Sequence, residues 1–449
     1  MKKTTPRSFK KQSAISIVYH IAALLFAFLS QIVIARVFGP EGRGIFANAY
    51  MLAGVLELLL SSGHALTNAY FVASGKQRAS EAAGSSIIGL AMSVLLLSGF
   101  TFYVIHWRPS FVVLLSNSII LLAFAAIPIR LLAEQLNGIQ RGLGHADLAY
   151  MYYGIAGLSR LLSLVIFCLL LSWDRLETVF VAGLIGVSVG ALFALWFLRH
   201  YLAFSWLKPR PKAFIQSMGY SLKFFGGKIS SPMEWQIDII IIPLILSDVA
   251  SLGNYAQGFA ILNQMLLLPV VLGYVLMPRV AKNANESDYL TARVCRLVFT
   301  FSACMGIAIL LLAKPVVPLV FGKDFSAAVP LMWIMLAGMV FRSVSKILYY
   351  YCQGAGMPMT ITVVSFISLG AMLTIDIILI PIIGIKGAAI GTLCSCFVEF
   401  LIFSSIFLRN SGATLGQMLL LRRTDVQLLA NTFRNLKYMA QIPDQTEPP

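Results

Sequence analysis

The sequence predicts an all-α, polytopic membrane protein with about 12 transmembrane helices in two six-helix bundles. Three observations carry this. The chain of 449 residues is 59% hydrophobic and 12% charged, with a mean hydropathy of +0.84. No water-soluble fold of that length is so apolar. The apolar residues run in stretches of roughly 20, as helices crossing a bilayer do, not in the short alternating segments of a β-barrel. The second half of the chain also echoes the first.

A basic arm, residues 1–12, opens the chain. The apolar run after it is too long for a signal-peptide core and lacks a small-residue cleavage site, so it is read as the first span. The spans fall at 13–37, 45–72, 84–105, 111–137, 148–173, 177–198, 219–246, 253–278, 293–313, 327–352, 359–383 and 387–408. Residues 13–198 form the first bundle and 219–408 the second, with a linker at 199–218 that holds Lys208-Pro209-Arg210-Pro211. In the tail, residues 409–449, Leu415, Leu419, Val426, Leu429, Phe433 and Leu436 recur at helical spacing, with Arg422, Arg423 and Arg434 between them. That pattern predicts an amphipathic helix, either on the inner membrane face or solvated.

The net charge of +16 comes from 34 Lys and Arg against 18 Asp and Glu. With the N-terminus inside, about 21 of the basic residues fall in inside loops and tails and about 7 outside, among them Arg36 and Arg43. That bias predicts both termini in the cytoplasm. A nucleic-acid partner would need a basic soluble domain, and none is visible. The cysteines Cys168, Cys295, Cys304, Cys352, Cys394 and Cys396 lie in or beside apolar runs without metal-ligand spacing, so neither a disulfide framework nor a metal site is expected. There is no phosphate-binding loop, no HExxH and no convincing nucleophile–base set, which argues for a transporter and against an ATP-driven pump or an enzyme.

The internal echo has two parts. Gly44-Ile45-Phe46-Ala47 matches Gly253-Asn254-Tyr255-Ala256, each after an apolar span and a short outside turn. Asn137-Gly138-Ile139-Gln140-Arg141-Gly142-Leu143-Gly144 at the end of span four echoes Tyr350-Tyr351-Cys352-Gln353-Gly354-Ala355-Gly356 at the end of span ten, each bringing a Gln and two Gly to the inside end. Two six-span halves entering from the same side are a parallel repeat, and transporters so built place the substrate between them.

Charges within spans are costly and mark candidate sites. In span seven, Lys223, Gly227, Ser230, Glu234 and Asp238 fall on one helical face. That face lines a polar cavity, or its lysines reach the inner interface and its acids pair with cations elsewhere. Lys228 shares the interface reading. Arg342 and Lys346, one turn apart in span ten, predict an inward cationic wall, since two cations on one face repel unless paired or facing an anion. Arg160 is similar and more isolated. Arg130 has Glu134 one turn on and reads as a self-contained pair. Glu57, Asp376 and Glu399 are single acids, each a coupling-ion site or an arginine's partner. His64 reads as a helix contact, not a proton relay.

The run Gln31-Ile32-Val33-Ile34-Ala35-Arg36-Val37-Phe38-Gly39-Pro40-Glu41-Gly42-Arg43-Gly44-Ile45-Phe46-Ala47 resembles bacterial polysaccharide flippases, the Wzx-type O-antigen and exopolysaccharide exporters. So does Trp235-Gln236-Ile237-Asp238 with the later Gly253-Asn254-Tyr255-Ala256. These belong to the multidrug/oligosaccharidyl-lipid/polysaccharide (MOP) exporter superfamily, with the MATE drug exporters. The resemblance spans nearly the whole chain. It implies two bundles in a V shape and an undecaprenyl-pyrophosphate-linked oligosaccharide carried from the inner to the outer leaflet of a bacterial inner membrane. It also implies work beside a polysaccharide polymerase and glycosyltransferases, without a cofactor. Cationic span residues suit a pyrophosphate. A MATE-like cation-coupled drug exporter is the alternative. Span one has no Asp or Glu, where many MATE exporters carry one, which leaves Glu57 or Asp238 for proton or sodium coupling.

Overall fold

The computed structural model describes residues 9–61, 64–202, 210–221, 237–246, 248–282, 284–422 and 425. Among these residues the regular structure is entirely helical. Among the described residues ten helices are long and apolar enough to cross a membrane. The described residues form two compact units.

The first unit comprises the described residues of Met1–Gly258, Lys314–Leu331 and Ile375–Ala388. Its longest helix, α1 (Phe9–Ser61), joins the first expected span to most of the second. The apolar part, Val18–Ser61, has 44 residues. At 1.5 Å per residue that is roughly 66 Å, about twice the hydrocarbon core, so it must bend. The bend is at Gly39, whose φ of 61° and ψ of −169° suit a residue without a Cβ. Pro40 then restarts the helix in the first-turn position that proline tolerates. The outside turn expected over residues 38–43 is thus a kink, and helix resumes at once. The second expected span finishes in α2 (His64–Ala73).

The next helices follow the expected spans closely: α3 (Ala79–Trp107), α4 (Asn117–Gly142), α5 (Ala146–Leu164), continued by π-helical Val165–Leu170, and α6 (Glu177–Leu202). Ser116 caps α4 by accepting the Ile119 N–H at 3.3 Å. Helix α7 (211–221) falls partly in the expected linker. Helix α8 (Asp238–Ile245) lies near the far end of span seven. Helix α9 (Val249–Asn263) starts four residues earlier than expected, because the Asp248 carboxylate accepts the Ser251 N–H at 3.1 Å and caps it. The core gathers Ile34, Phe46, Leu97, Ile120, Phe124, Ile127 and Leu164. In lipid such packing is held by van der Waals fit, not by escape from water. Leu95, Leu96, Phe102 and Leu192 remain exposed, as a lipid-facing surface requires.

The second unit comprises the described residues of Phe259–Ala313, Met332–Thr374 and Ala389–Pro449. Helices α10 (Leu267–Lys282), α11 (Ala284–Phe321), α12 (Ala328–Gly354), α13 (Pro358–Ile383) and α14 (Ile385–Ser411) supply it in whole or part. Leu276, Cys295, Val298, Val344, Ile347, Phe400 and Phe403 form its core. Arg293 and Arg296 lie on α11, which begins nine residues before the expected span. The tail departs from expectation. The described helix α15 (Leu415–Leu419) is capped by Thr414, and the backbone turns extended at Leu420. The expected helical positions from Val426 onward lie outside the described residues.

The repeat has a structural counterpart. A Cβ on Gly142 would lie 2.9 Å from the Ala69 carbonyl of α2. One on Gly354, the matched position, would lie 2.6 Å from the Met277 carbonyl of α10. In both units the fourth-span helix lies backbone-close to the second-span helix at the same place.

Candidate functional site

The first unit holds a cationic pocket built by α1, α4, α5 and α6. On α1, Arg43, Phe46, Tyr50 and Glu57 stand at i, i+3, i+7 and i+14, so one helical face carries all four. Arg130 comes from α4 and Arg160 from α5. The Arg160 guanidinium sits 5.4 Å from the Phe46 ring centroid, and that of Arg43 sits 5.6 Å from the same ring. Arg130 lies 5.2 Å from the Tyr50 ring, and its Nη1 is 3.2 Å from Glu57 Oε2. Arg43 Nε donates to Gln257 Oε1 at 2.9 Å. Phe46, Tyr50, Arg130, Arg160, Phe180 and Gly183 help line a small cavity of about 20 Å³.

Magnitudes show what this arrangement lacks. An unpaired charge at mid-bilayer costs about 2.5–3.5 kcal/mol on insertion scales. A desolvated cation–π contact returns about 2 kcal/mol. Among the described residues of the immediate cluster, three guanidiniums share one carboxylate, and two of them share a ring. The pocket therefore has unspent positive charge and is suited to a multivalent anion.

Two sequence expectations change here. The ion pair of Arg130 is with Glu57 across α1 and α4, so it is not self-contained on α4. Cation before anion is the weaker order for a helical i, i+4 pair, and Glu57 offers a better approach. Arg43, counted as an outside-loop charge, is buried in α1. Its spacing to Phe46, Tyr50 and Glu57 was the available signal.

In the second unit, Arg342, Lys346 and Glu399 form a buried triad. Arg342 Nε lies 3.6 Å from Glu399 Oε2, and Lys346 Nζ lies 3.9 Å from Glu399 Oε1. Arg342 Nη1 also reaches Cys396 Sγ at 3.5 Å. The expected cationic wall is thus two cations astride one acid, which is how their mutual repulsion is relieved.

Asp238 and Asp376 both belong to the first unit, and their charges interact across space. Asp238 is buried, accepts the Ile239 N–H at 2.9 Å and takes a hydrogen bond from the Tyr255 hydroxyl. Asp376 is fully buried, and neither of its carboxylate oxygens has a hydrogen-bond partner among the described residues. Asp238 is the described member of the polar face of span seven; Lys223, Lys228 and Glu234 lie outside the described residues. His64 stacks on Phe214 at 5.5 Å between centroids, a helix contact as expected. Among the described residues no group of three or more His, Cys, Asp or Glu side chains could hold a metal ion.

The fold is that of the MOP-superfamily transporters. The chain superposes on a structure described as lipid II flippase MurJ in an inward closed conformation, with a TM-score of 0.73 and 14% identity over 97% of this chain and 93% of that one. It is also similar to an inward-facing multidrug resistance MATE family transporter of the MOP superfamily (TM-score 0.69, 15% identity, 89% of this chain, 99% of that one). The Vibrio cholerae MATE transporter VcmN gives 0.60 at 14% identity, over 89% of this chain and 96% of that one. No curated protein matches the chain. The profile of the family described as "Polysaccharide biosynthesis protein" matches residues 9–284, more than half of the sequence, and the chain belongs to that family. The resemblance read from the opening motif is borne out.

Proposed function

We propose that this protein is a flippase that moves an undecaprenyl-pyrophosphate-linked oligosaccharide from the inner to the outer leaflet of the bacterial inner membrane by alternating access. Both termini are cytoplasmic in this reading, and a polysaccharide polymerase and glycosyltransferases act beside it. It transports and does not catalyse. The observation that carries the reading is the arginine excess around Phe46 and Tyr50. Arg43, Arg130 and Arg160 receive the pyrophosphate, while the polyprenyl chain stays in lipid. Arg342, Lys346, Lys223 and Lys228 are further cations in this reading that would favour an anionic cargo. The same excess disfavours a cationic drug as cargo.

The Asp238–Asp376 pair couples transport to a cation. Burial and like charge both oppose ionisation of the two carboxyls, so a proton or a cation is favoured there. Glu57 and Glu399 are engaged with cations, which leaves the aspartates as the coupling pair; Glu234 is a further acid of the same expected face.

The test is Arg160→Gln in the producing bacterium. Surface polysaccharide should fall at least tenfold while the protein inserts at wild-type abundance. Undiminished polysaccharide would remove the pyrophosphate role from this pocket. Leaflet-resolved assay of a labelled lipid-linked glycan in proteoliposomes tests the flippase directly.

A further inference from the structure

A second recess, with no part in the anion pocket, lies between the end of α2 and α7. Helix α7 is fixed there by several independent contacts. Ser221 Oγ and Thr67 Oγ1 are 2.6 Å apart. Tyr220 stacks on Tyr70 with centroids 5.0 Å apart and planes 4° from parallel. Phe214 stacks on His64, and Gln77 Nε2 donates to the Ala213 carbonyl at 3.4 Å. The recess so formed measures about 660 Å³ and is lined by Phe71, Lys76, Gln77, Gln216, Gly219 and Tyr220.

Its lining mixes flat apolar rings with amides. Phe71 and Tyr220 stand 5.4 Å apart between centroids and supply aromatic wall. Gln216 is exposed and offers both a donor and an acceptor. The Lys76 ammonium is 3.0 Å from the Tyr70 hydroxyl and 4.8 Å from that ring's centroid. Gly219 leaves the floor open, since a Cβ there would meet nothing within 4 Å.

We propose that this recess is a saccharide-binding site, which seats a pyranose ring of the lipid-linked glycan before translocation. A pyranose has a C–H face that packs on an aromatic ring and a rim of hydroxyls that both donate and accept. The rings and amides here match both features. A phosphate fits poorly, because the lining offers it one lysine, already held over the Tyr70 and Phe71 rings. A wholly apolar ligand would strip water from Gln216 and Lys76 without replacing their hydrogen bonds. The assignment to the transported glycan rests on the flippase reading; saccharide binding itself does not.

The experiment uses the full-length protein in detergent and saturation-transfer NMR with glucose, galactose and N-acetylglucosamine as probes. Transfer to the ring protons of at least one sugar is expected. Gly219→Phe, which projects into open space and fills the recess, should cut it at least tenfold, and Gln216→Ala, an exposed change, at least threefold. No transfer from the wild type to any of the three sugars overturns the site. So does wild-type transfer in both variants. Proteoliposomes then separate the two readings. A wild type that binds sugar but moves no lipid-linked glycan sinks the flippase and leaves the site standing. A wild type that flips, with both variants flipping and binding as well as it does, sinks the site alone.

Discussion

Gly44 and Gly253, the matched glycines of the two halves, hold the backbones of α1 and α9 against each other. A Cβ on Gly44 would lie 2.4 Å from the Val249 carbonyl oxygen, and one on Gly253 would lie 1.8 Å from that of Pro40. Neither contact can relax by a side-chain rotation, because the obstructing atoms are backbone. Asn48 Nδ2 donates to the Ile239 carbonyl at 3.1 Å and Arg43 to Gln257 at 2.9 Å, so hydrogen bonds flank the crossing. Gly253→Ala must therefore push the helices apart. Overpacking of this kind costs about 1–3 kcal/mol. A lower thermal unfolding midpoint in detergent is expected, and an unchanged midpoint would show that the crossing opens freely.

The Arg130–Glu57 pair makes a second expectation specific. If the pocket receives a pyrophosphate, Glu57 competes with it for Arg130 across 3.2 Å. Glu57→Gln removes that competitor and keeps the shape. Titration with methylenediphosphonate should give a dissociation constant roughly tenfold lower, about 1.4 kcal/mol. An unchanged constant would mean that Arg130 does not reach the ligand.

Much of this molecule is legible in its sequence, because lipid imposes length and apolarity on every helix that crosses it. Helices α3 to α6 and α12 to α14 lie close to where hydropathy places them. What escaped has local causes. The cluster Gly39-Pro40-Glu41-Gly42 reads as a turn. In the structure Gly39 alone takes the break, and helix resumes at Pro40, which carries Arg43 inward. The partner of Glu399 could not be read, because Arg342 and Lys346 sit on another helix and no periodicity links helices. The interaction of Asp238 with Asp376 escaped for the same reason.

The Arg342–Lys346–Glu399 triad yields a test that separates structure from transport. All three side chains are almost wholly buried. Glu399→Gln leaves two buried cations without their counter-charge, and breaking such a pair costs about 3–5 kcal/mol. A large fall in the unfolding midpoint is expected. Replacing all three with Met should recover most of it, since apolar residues of similar volume often substitute for a buried ion cluster at little cost. If the triple variant is stable yet flips no glycan, the triad serves transport. If it is stable and flips normally, the triad serves packing alone.

The tail offers an expectation in pH. Asp425 is fully buried and takes hydrogen bonds from Arg293 Nε at 2.9 Å and Arg296 Nε at 2.8 Å, and from the Arg422 N–H at 3.2 Å. Arg296 also donates to the Gln417 carbonyl, so the same arginine holds α15. Burial works against ionisation of Asp425. The hydrogen bonds from Arg296 and the Arg422 N–H, with the charges of Arg296 and Arg293, outweigh it and hold the carboxyl below its ordinary range. A depressed folded pKa means the stabilisation is full above the unfolded value, about 3.9, and is lost as pH falls through the lower folded value. At neutral pH the attachment should be complete and insensitive to small pH changes. Asp425→Asn imposes the loss at neutral pH by removing the charge while keeping the shape. Amide hydrogen exchange over Leu415–Leu419 should then accelerate at least tenfold relative to wild type, while the core of α12 exchanges as before. Equal exchange in the two proteins would show that α15 is held by Met418, which is fully buried against the second unit's core, and not by the arginines.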